Sequence, residues 1–464
     1  MNKTSKVKGT LEVLFVIGLI LLIPLFFAIK SVANAPAAQG TGTPYARATA
    51  TSVPQSKPAI SSSSPIQTNA KQPPQCTFPL AQTTTTVSAP ENYTFSEPQV
   101  VSPSNATAND GITEIIDWLP NNQQVLLAQS VPDTNENKQN IELFNPQTGE
   151  TQVYATRVQM NEPPIWIAGL NAVIYGETKV LKSTQKSGLE VPPYEFERQL
   201  WISRGDPKNA QLLKDTHLTA DSLSDFSIAT QPGGSEIVYL TNEDKQLSKK
   251  NTLSTGETPV AFDPAQWNYR GALRPQYLMA WRPGTSQIFF YTYGVGNMGY
   301  TFLVDADTGS VCELNFGGWA FFARWSPDGR YLAIVRNQEP SLPANSTDLA
   351  VLDTVTGKLY TMKVVSQEQV GRHYVADIAW APDNYHLLVI GGVLSFPGCA
   401  PNCKEDTRLY LVDFIAGKVD DLLPSNQFIA NNSGTNLAWS LDGTKVLTLC
   451  PVDLCFISVQ RNGQ

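Results

Sequence analysis

Histidine is nearly absent: the 464 residues contain three, His217, His373 and His386, far apart in the chain. None has a second ligand at metal spacing, so no histidine-based metal centre is in view. We read His386 as a strand residue and the other two as loop residues. Charge is also thin. Asp, Glu, Lys and Arg make up 16% of the chain and sum to -8. No Lys/Arg cluster interrupts that balance, which argues against a nucleic-acid partner, because phosphate needs a basic patch. There is no G-x-S-x-G elbow and no downstream α/β segment. The sequence therefore marks no catalytic residue, no metal and no cofactor.

Long apolar runs are missing too, with one exception. Lys3, Lys6 and Lys8 precede an uncharged stretch, Val13 to Ile29, which as a helix is about 25 Å long. That is near the lower limit for crossing a bilayer and longer than a usual signal-peptide core. We expect a signal-anchor helix at 11–30, with residues 1–10 kept in the cytoplasm by the lysines. The remainder is then extracytoplasmic, on a single-pass membrane protein. The alternative is secretion after cleavage, at Ala33-Asn34-Ala35 or Ala35-Pro36-Ala37.

From 31 to 90 the chain is rich in Pro, Ser, Thr and Ala, with runs at Ser61–Ser64 and Thr83–Thr86. Such a composition builds a disordered linker, not a core. Near Cys76–Phe78 aromatic character returns, and that stretch is a candidate for the folded domain. Outside the cytoplasm the six cysteines read as disulfides. Cys399/Cys403 and Cys450/Cys455 form two local pairs, and Cys76 and Cys312 are left as a third. Four thiolates of the local pairs around one zinc is the alternative.

An internal repeat organises the rest. Three copies are plain: Ala323-Arg-Trp-Ser-Pro-Asp-Gly329 with RYLAIV, Ile378-Ala-Trp-Ala-Pro-Asp-Asn384 with YHLLVIGG, and Leu437-Ala-Trp-Ser-Leu-Asp-Gly443 with TKVLTL. Two more start at Ile116-Asp-Trp118 and Met279-Ala-Trp281, and weaker ones at Ile165-Trp166 and Ile228-Ala229. In Ser326-Pro327-Asp328-Gly329 the proline presets φ for a type I turn and the glycine takes the left-handed position after it. Asn384 can fill that position in its copy, since Asn tolerates positive φ. A second turn follows in most copies, as in Asp305-Ala-Asp-Thr-Gly309 and Asp353-Thr-Val-Thr-Gly357, between alternating apolar strands. Each unit is thus four antiparallel strands, A to D. Seven such units make an all-β, seven-bladed β-propeller of four-stranded antiparallel blades, spanning 91–464.

The W-S-P-D-G-x-x-L/I-A/V units resemble the WD-like propeller repeats of the TolB type. No Trp-Asp dipeptide ends a third strand and no Gly-His opens a unit, so the chain departs from true WD repeats. The resemblance implies the fold and, by analogy only, an accessory role in a cell-envelope complex. The last unit lacks strand D, and an open edge there would be a liability. Tyr93–Val101, just ahead of the first unit, is the expected donor.

The function we expect is a binding or interaction module for an unknown protein or envelope ligand, tethered to the membrane by its N-terminal helix. An extracytoplasmic hydrolase or lyase using carboxylates at the channel mouth is the rival. Long connections between strands B and C, and D and A, place binding on that face: Lys179–Gln199, Pro259–Tyr277, Tyr293–Tyr300, Phe316–Phe322 and Val393–Thr407. Trp267, Tyr269, Arg270, Arg274, Tyr277, Tyr293, Tyr300 and Trp319 are the candidate contacts, because Trp, Tyr and Arg dominate interface energies. They could equally pack beneath their own loops. Four N-x-S/T sequons, at Asn92, Asn105, Asn345 and Asn431, lie in polar stretches rich in these residues and carry no weight.

Overall fold

Runs such as YLAIV (331–335), apolar at every position, are explained by burial on both faces. The side chains of a strand alternate; here Tyr331, Ala333 and Val335 enter one inter-blade core, and Leu332 and Ile334 the core on the other side. A computed structural model describes residues 74–80 and 90–462, except for 104–112, 132–137, 160–163, 184–193, 220–226, 241–246, 252–255, 261–273, 294–298, 317–318, 338–345, 366–371, 395–405, 424–435 and 451–452.

In sequence, β1 (Asn92–Phe95) and β2 (Gln99–Val101) come first. Blade 1 follows, with β3 (Thr113–Trp118), β4 (Val125–Ser130), β5 (Lys138–Phe144) and β6 (Thr151–Gln159). Blade 2 has β7 (Ile165–Ile167), β8 (Ala172–Ser183), β9 (Tyr194–Ser203) and β10 (Gln211–Thr219). Blade 3 has β11 (Ser227–Thr230), β12 (Glu236–Leu240), β13 (Leu247–Asn251) and β14 (Glu257–Pro259). Blade 4 has β15 (Arg274–Trp281), β16 (Gln287–Tyr293), β17 (Gly299–Asp305) and β18 (Val311–Leu314).

Blade 5 has β19 (Trp319–Trp325), β20 (Tyr331–Asn337), β21 (Asp348–Asp353) and β22 (Leu359–Met362). Blade 6 has β23 (Arg372–Trp380), β24 (His386–Leu394), β25 (Asp406–Asp413) and β26 (Lys418–Leu423). Blade 7 has only β27 (Leu437–Trp439), β28 (Lys445–Leu449) and β29 (Leu454–Asn462) of its own. Every blade is antiparallel in the order A-B-C-D. The A strands of five neighbouring pairs touch (β27–β3, β11–β15, β15–β19, β19–β23 and β23–β27), so the A strands are the innermost and surround the central axis.

The ring closes as the missing strand D requires. β1 pairs antiparallel with the end of β29, Phe95 opposite Val459, and β2 with its beginning, Val101 opposite Leu454. Seven buried clusters fill seven gaps, including the one between blade 7 and blade 1, where Ala438, Leu447 and Phe456 meet Ile115, Trp118 and Phe144. Each A–B turn ends at a positive φ, with asparagine at Asn122, Asn171 and Asn384 and glycine in the other four.

The strands run further than the sequence indicates. Lys179–Gln199 is mostly strand, since β8 reaches Ser183 and β9 begins at Tyr194. Arg274, Tyr277, Tyr293, Tyr300 and Trp319 are strand residues as well. His217 and His373, read as loop residues, lie in β10 and β23; His386 opens β24 as expected. Polar residues signal a loop only when the strand must bury both faces, and at these blade ends cross-strand pairing suffices.

Cys76–Cys312 and Cys450–Cys455 are disulfides, with Cα atoms 4.8 Å and 5.6 Å apart. Cys399 and Cys403 lie outside the described residues, as does the apolar run at 13–29. Among the described residues no helix is long and apolar enough to cross a membrane, and no group of His, Cys, Asp or Glu could hold a metal ion.

Candidate functional site

The repeat tryptophan fills the gap to the preceding blade and, in three copies, ties the blades through its indole. Trp118 Nε1 donates to the Ala438 carbonyl (3.0 Å), Trp325 to Ala280 (2.9 Å) and Trp380 to Arg324 (2.9 Å). Trp281 and Trp439 instead donate within their own A–B turns, to Thr285 and Gly443.

Turn residues extend these ties. The Asn384 side chain accepts from the Asp328 N–H of blade 5 (3.0 Å), and Asn122 from the Asp442 N–H of blade 7 (3.2 Å). Arg282, where three other copies have Ser326, Ala381 and Ser440, is 1% exposed. It donates to the Gly329 carbonyl (2.7 Å), Gln287 Oε1 (2.6 Å) and Thr354 Oγ1 (3.1 Å). Burial pushes its guanidinium down to about 10, against the pull of Asp328. The A–B and C–D turns therefore form one end, locked blade to blade.

The N-terminal chain lies on that same end. Cys76 N–H donates to the Glu313 carbonyl, and Glu313 N–H to the Pro74 carbonyl, so residues 74–76 add a parallel rung to the edge of β18. Leu80 is buried between blades 4 and 5, its N–H bonded to Thr354 in the C–D turn of blade 5. Phe78 packs against Gly357 of that turn. At blade 6, Glu91 N–H donates to Asp383 Oδ2 (3.1 Å) in the A–B turn. Burial alone would raise Asp383; His386 at 2.6 Å and the N–H groups of Tyr385 and Glu91 hold its carboxyl below the usual range. The Glu91 side chain pairs with Arg461 of blade 7. Tyr93 then stacks edge-on against Trp439, 4.9 Å between centroids.

At the other end are the B–C and D–A connections. Trp267, Tyr269 and Arg270 lie outside the described residues. Register brings four of the other candidates together at that end of blade 4: Arg274 is opposite Tyr293, Tyr277 opposite Thr292, and Thr292 opposite Tyr300. Trp319 begins the inner strand of the next blade.

Inside the channel the structure assembles a charged group that the sequence reading missed. Asp377 on β23 is fully buried. Its Oδ1 accepts from Arg324 of blade 5 (2.8 Å) and the Ile378 N–H (2.8 Å). Its Oδ2 accepts from the N–H groups of Asn436 (2.8 Å) and Leu437 (2.9 Å) of blade 7. Desolvation pushes the carboxyl up to about 6, against the opposing effects of Arg324 and those N–H groups. Asp117, on the inner strand of blade 1, accepts from the Trp118 N–H (2.8 Å); desolvation raises its carboxyl, against the opposing effects of Arg324 and that N–H. Glu114, one turn of the pleat nearer the long-connection mouth, is raised for the same reason. Phe321, in a bulge of β19, is 44% exposed.

One signal could have revealed part of this. The residue before the repeat tryptophan is Ala280, Ala379 or Ala438 in three copies, but Asp117 and Arg324 in two. Charge at a position held by alanine in three copies, on an inner strand, marks a polar contact there in place of the packing that Ala379 and Ala438 make between blades.

The sequence matches no protein-family model and no curated protein. In structure the chain is similar to an oligogalacturonate lyase in complex with manganese, at 10% identity and TM-score 0.50, covering 82% of this chain and 98% of that one. It is similar to the oligogalacturonate lyase of Vibrio parahaemolyticus, at 13% identity and TM-score 0.49, covering 80% and 98%. It is also similar to TolB of Acinetobacter baumannii, at 13% identity and TM-score 0.42, covering 67% and 66%. These likenesses are of fold, that of WD-like propellers.

Proposed function

We propose that this propeller is a binding module, held at the outer side of a membrane by residues 11–30, which presents the end bearing the B–C and D–A connections to a protein or envelope ligand. One observation carries the reading: the N-terminal chain runs along the tight-turn end, from Glu313 of blade 4 to Asp383 of blade 6. A tether joined to the propeller ahead of Pro74 enters at that end, which supports recognition at the opposite one. That end groups Arg274, Tyr277, Tyr293 and Tyr300 by register, and aromatic and arginine side chains on a rigid frame are the usual anchors of an interface. The test is affinity capture from native membranes with the wild-type protein and with Trp267→Ala/Arg270→Ala/Arg274→Ala. We expect an unchanged melt and at least tenfold lower partner recovery. Undiminished recovery, together with loss from a variant altered on the tight-turn end, would overturn the assignment.

A second reading, an enzyme, is favoured by the raised carboxyls of Glu114, Asp117 and Asp377 around the channel, since groups so shifted cluster at catalytic sites. Against it, Arg324 and backbone N–H groups saturate Asp377, which makes that residue a tie between blades. Turnover of an oligosaccharide panel, lost on Asp117→Asn with the melt intact, would establish the enzyme. Absence of turnover would leave the binding role.

A further inference from the structure

We propose that the Cys76–Cys312 disulfide fastens the closing strand of the ring, by anchoring the chain ahead of β1 to blade 4. The closing strand needs such help. It is two pieces, β1 of 4 residues and β2 of 3, broken at Ser96–Pro98 and paired on one side only. No residue of either piece is fully buried, and Val100 is 60% exposed. Short edge strands at a chain terminus are the first elements to open. Yet Tyr93 and Phe95 cover Trp439, and Val101 packs against the cluster that joins blades 7 and 1. If the strand peels away, two inter-blade cores are uncovered together.

The disulfide changes what peeling means. Beyond Cys76 the chain continues to Leu80, buried between blades 4 and 5, then to Glu91 at blade 6 and β1 at blade 7. After β2 it enters β3 of blade 1. A detached β1–β2 therefore remains held at both ends, by a covalent bond on one side and an inner strand on the other. Its return is a short-range intramolecular event at high effective concentration. Without the bond, only the non-covalent contacts of residues 74–80 and Glu91 hold the segment ahead of β1, and their loss would leave everything ahead of β3 a free tail. Tension on residues before Pro74 likewise passes through Cys312 into blade 4 and does not reach β1. The bond spans 236 positions, from the segment that closes the ring to the blade halfway round it.

Hydrogen exchange measured by mass spectrometry on the full chain tests this, comparing wild type with Cys76→Ser/Cys312→Ser. We expect peptides covering 92–101 to exchange at least tenfold faster in the variant, while peptides of blades 2 and 6 keep their rates. Unchanged exchange at 92–101 would overturn the proposal. So would equal acceleration in every blade, which would make the bond a general stabiliser. If the variant does not fold, folded wild type reduced with a phosphine and alkylated gives the same comparison. A variant with Cys399, Cys403, Cys450 and Cys455 replaced by Ser, in its oxidised form, should then retain slow exchange at 92–101; fast exchange there would equally sink the idea.

Discussion

At the tight-turn end, Arg282 reaches from blade 4 into two turns of blade 5, Asn384 joins blades 6 and 5, and Asn122 joins blades 1 and 7. At the long-connection end, Arg274, Tyr277, Tyr293 and Tyr300 share one end of blade 4 by pairing within that blade, and Thr347 ties blade 5 to blade 6, donating its N–H to the His373 carbonyl and accepting from the Val375 N–H. The difference is one of constraint. Where side chains bond across gaps, each turn fixes its neighbour, and few residues satisfy the geometry. Where pairing stays within a blade, the connections are free to differ in length and chemistry.

The sharpest way to break this comparison is to remove the most buried tie. Arg282→Ala leaves the Gly329 carbonyl and the Thr354 hydroxyl short of a donor, and should cost about 3 kcal/mol, read as a lowered urea midpoint by tryptophan fluorescence. The triple alanine variant at the opposite rim should leave that midpoint in place. Equal losses at both ends would dissolve the distinction.

A second test addresses the channel between the two ends. The carboxyl of Asp377, at about 6 in the folded protein, lies above its unfolded value of about 3.9. The native state therefore holds a proton that the unfolded chain releases between those values. The associated stability is present below pH ~4 and lost as pH rises through 6, by about 3 kcal/mol. Asp377→Asn removes this titration, so the stability difference between wild type and variant should move against wild type by roughly 2–3 kcal/mol from pH 4 to 7. A pH-independent difference would show that the four hydrogen bonds to Asp377 outweigh its burial.

The smallest effect separates backbone from side chain in one turn. Asn384 sits at φ 64°. Asn384→Gly keeps that conformation and loses the bond to Asp328, costing about 1 kcal/mol. Asn384→Ala adds the left-handed penalty, about 1 kcal/mol more. Melts in which the glycine variant matches wild type would show that the tie between blades 6 and 5 adds nothing.

Much of the frame was legible because its signals are local. Trp325-Ser-Pro-Asp-Gly329 prescribes strand, turn and strand within a few residues. The seventh unit has three strands, and Tyr93–Val101 supplies the outer one by pairing with β29. The bounds of the connection at Lys179–Gln199 were drawn too wide for a related reason. Residues 179–183 and 194–199 mix charged with apolar side chains on two strands paired with each other at a blade end, and charge there says nothing about backbone pairing.

The sequence by itself determined the blade, the number of blades and the source of the closing strand, since turn chemistry and two-faced burial act over neighbouring residues. Only the tertiary structure decided which blade receives Cys76, that Arg282 and Asn384 bond outside their own units, and that Asp377 meets Arg324 of blade 5 and Leu437 of blade 7. Those contacts depend on how far each blade is rotated about a common axis. No single repeat encodes that rotation; it emerges when seven gaps are packed at once and the ring must close.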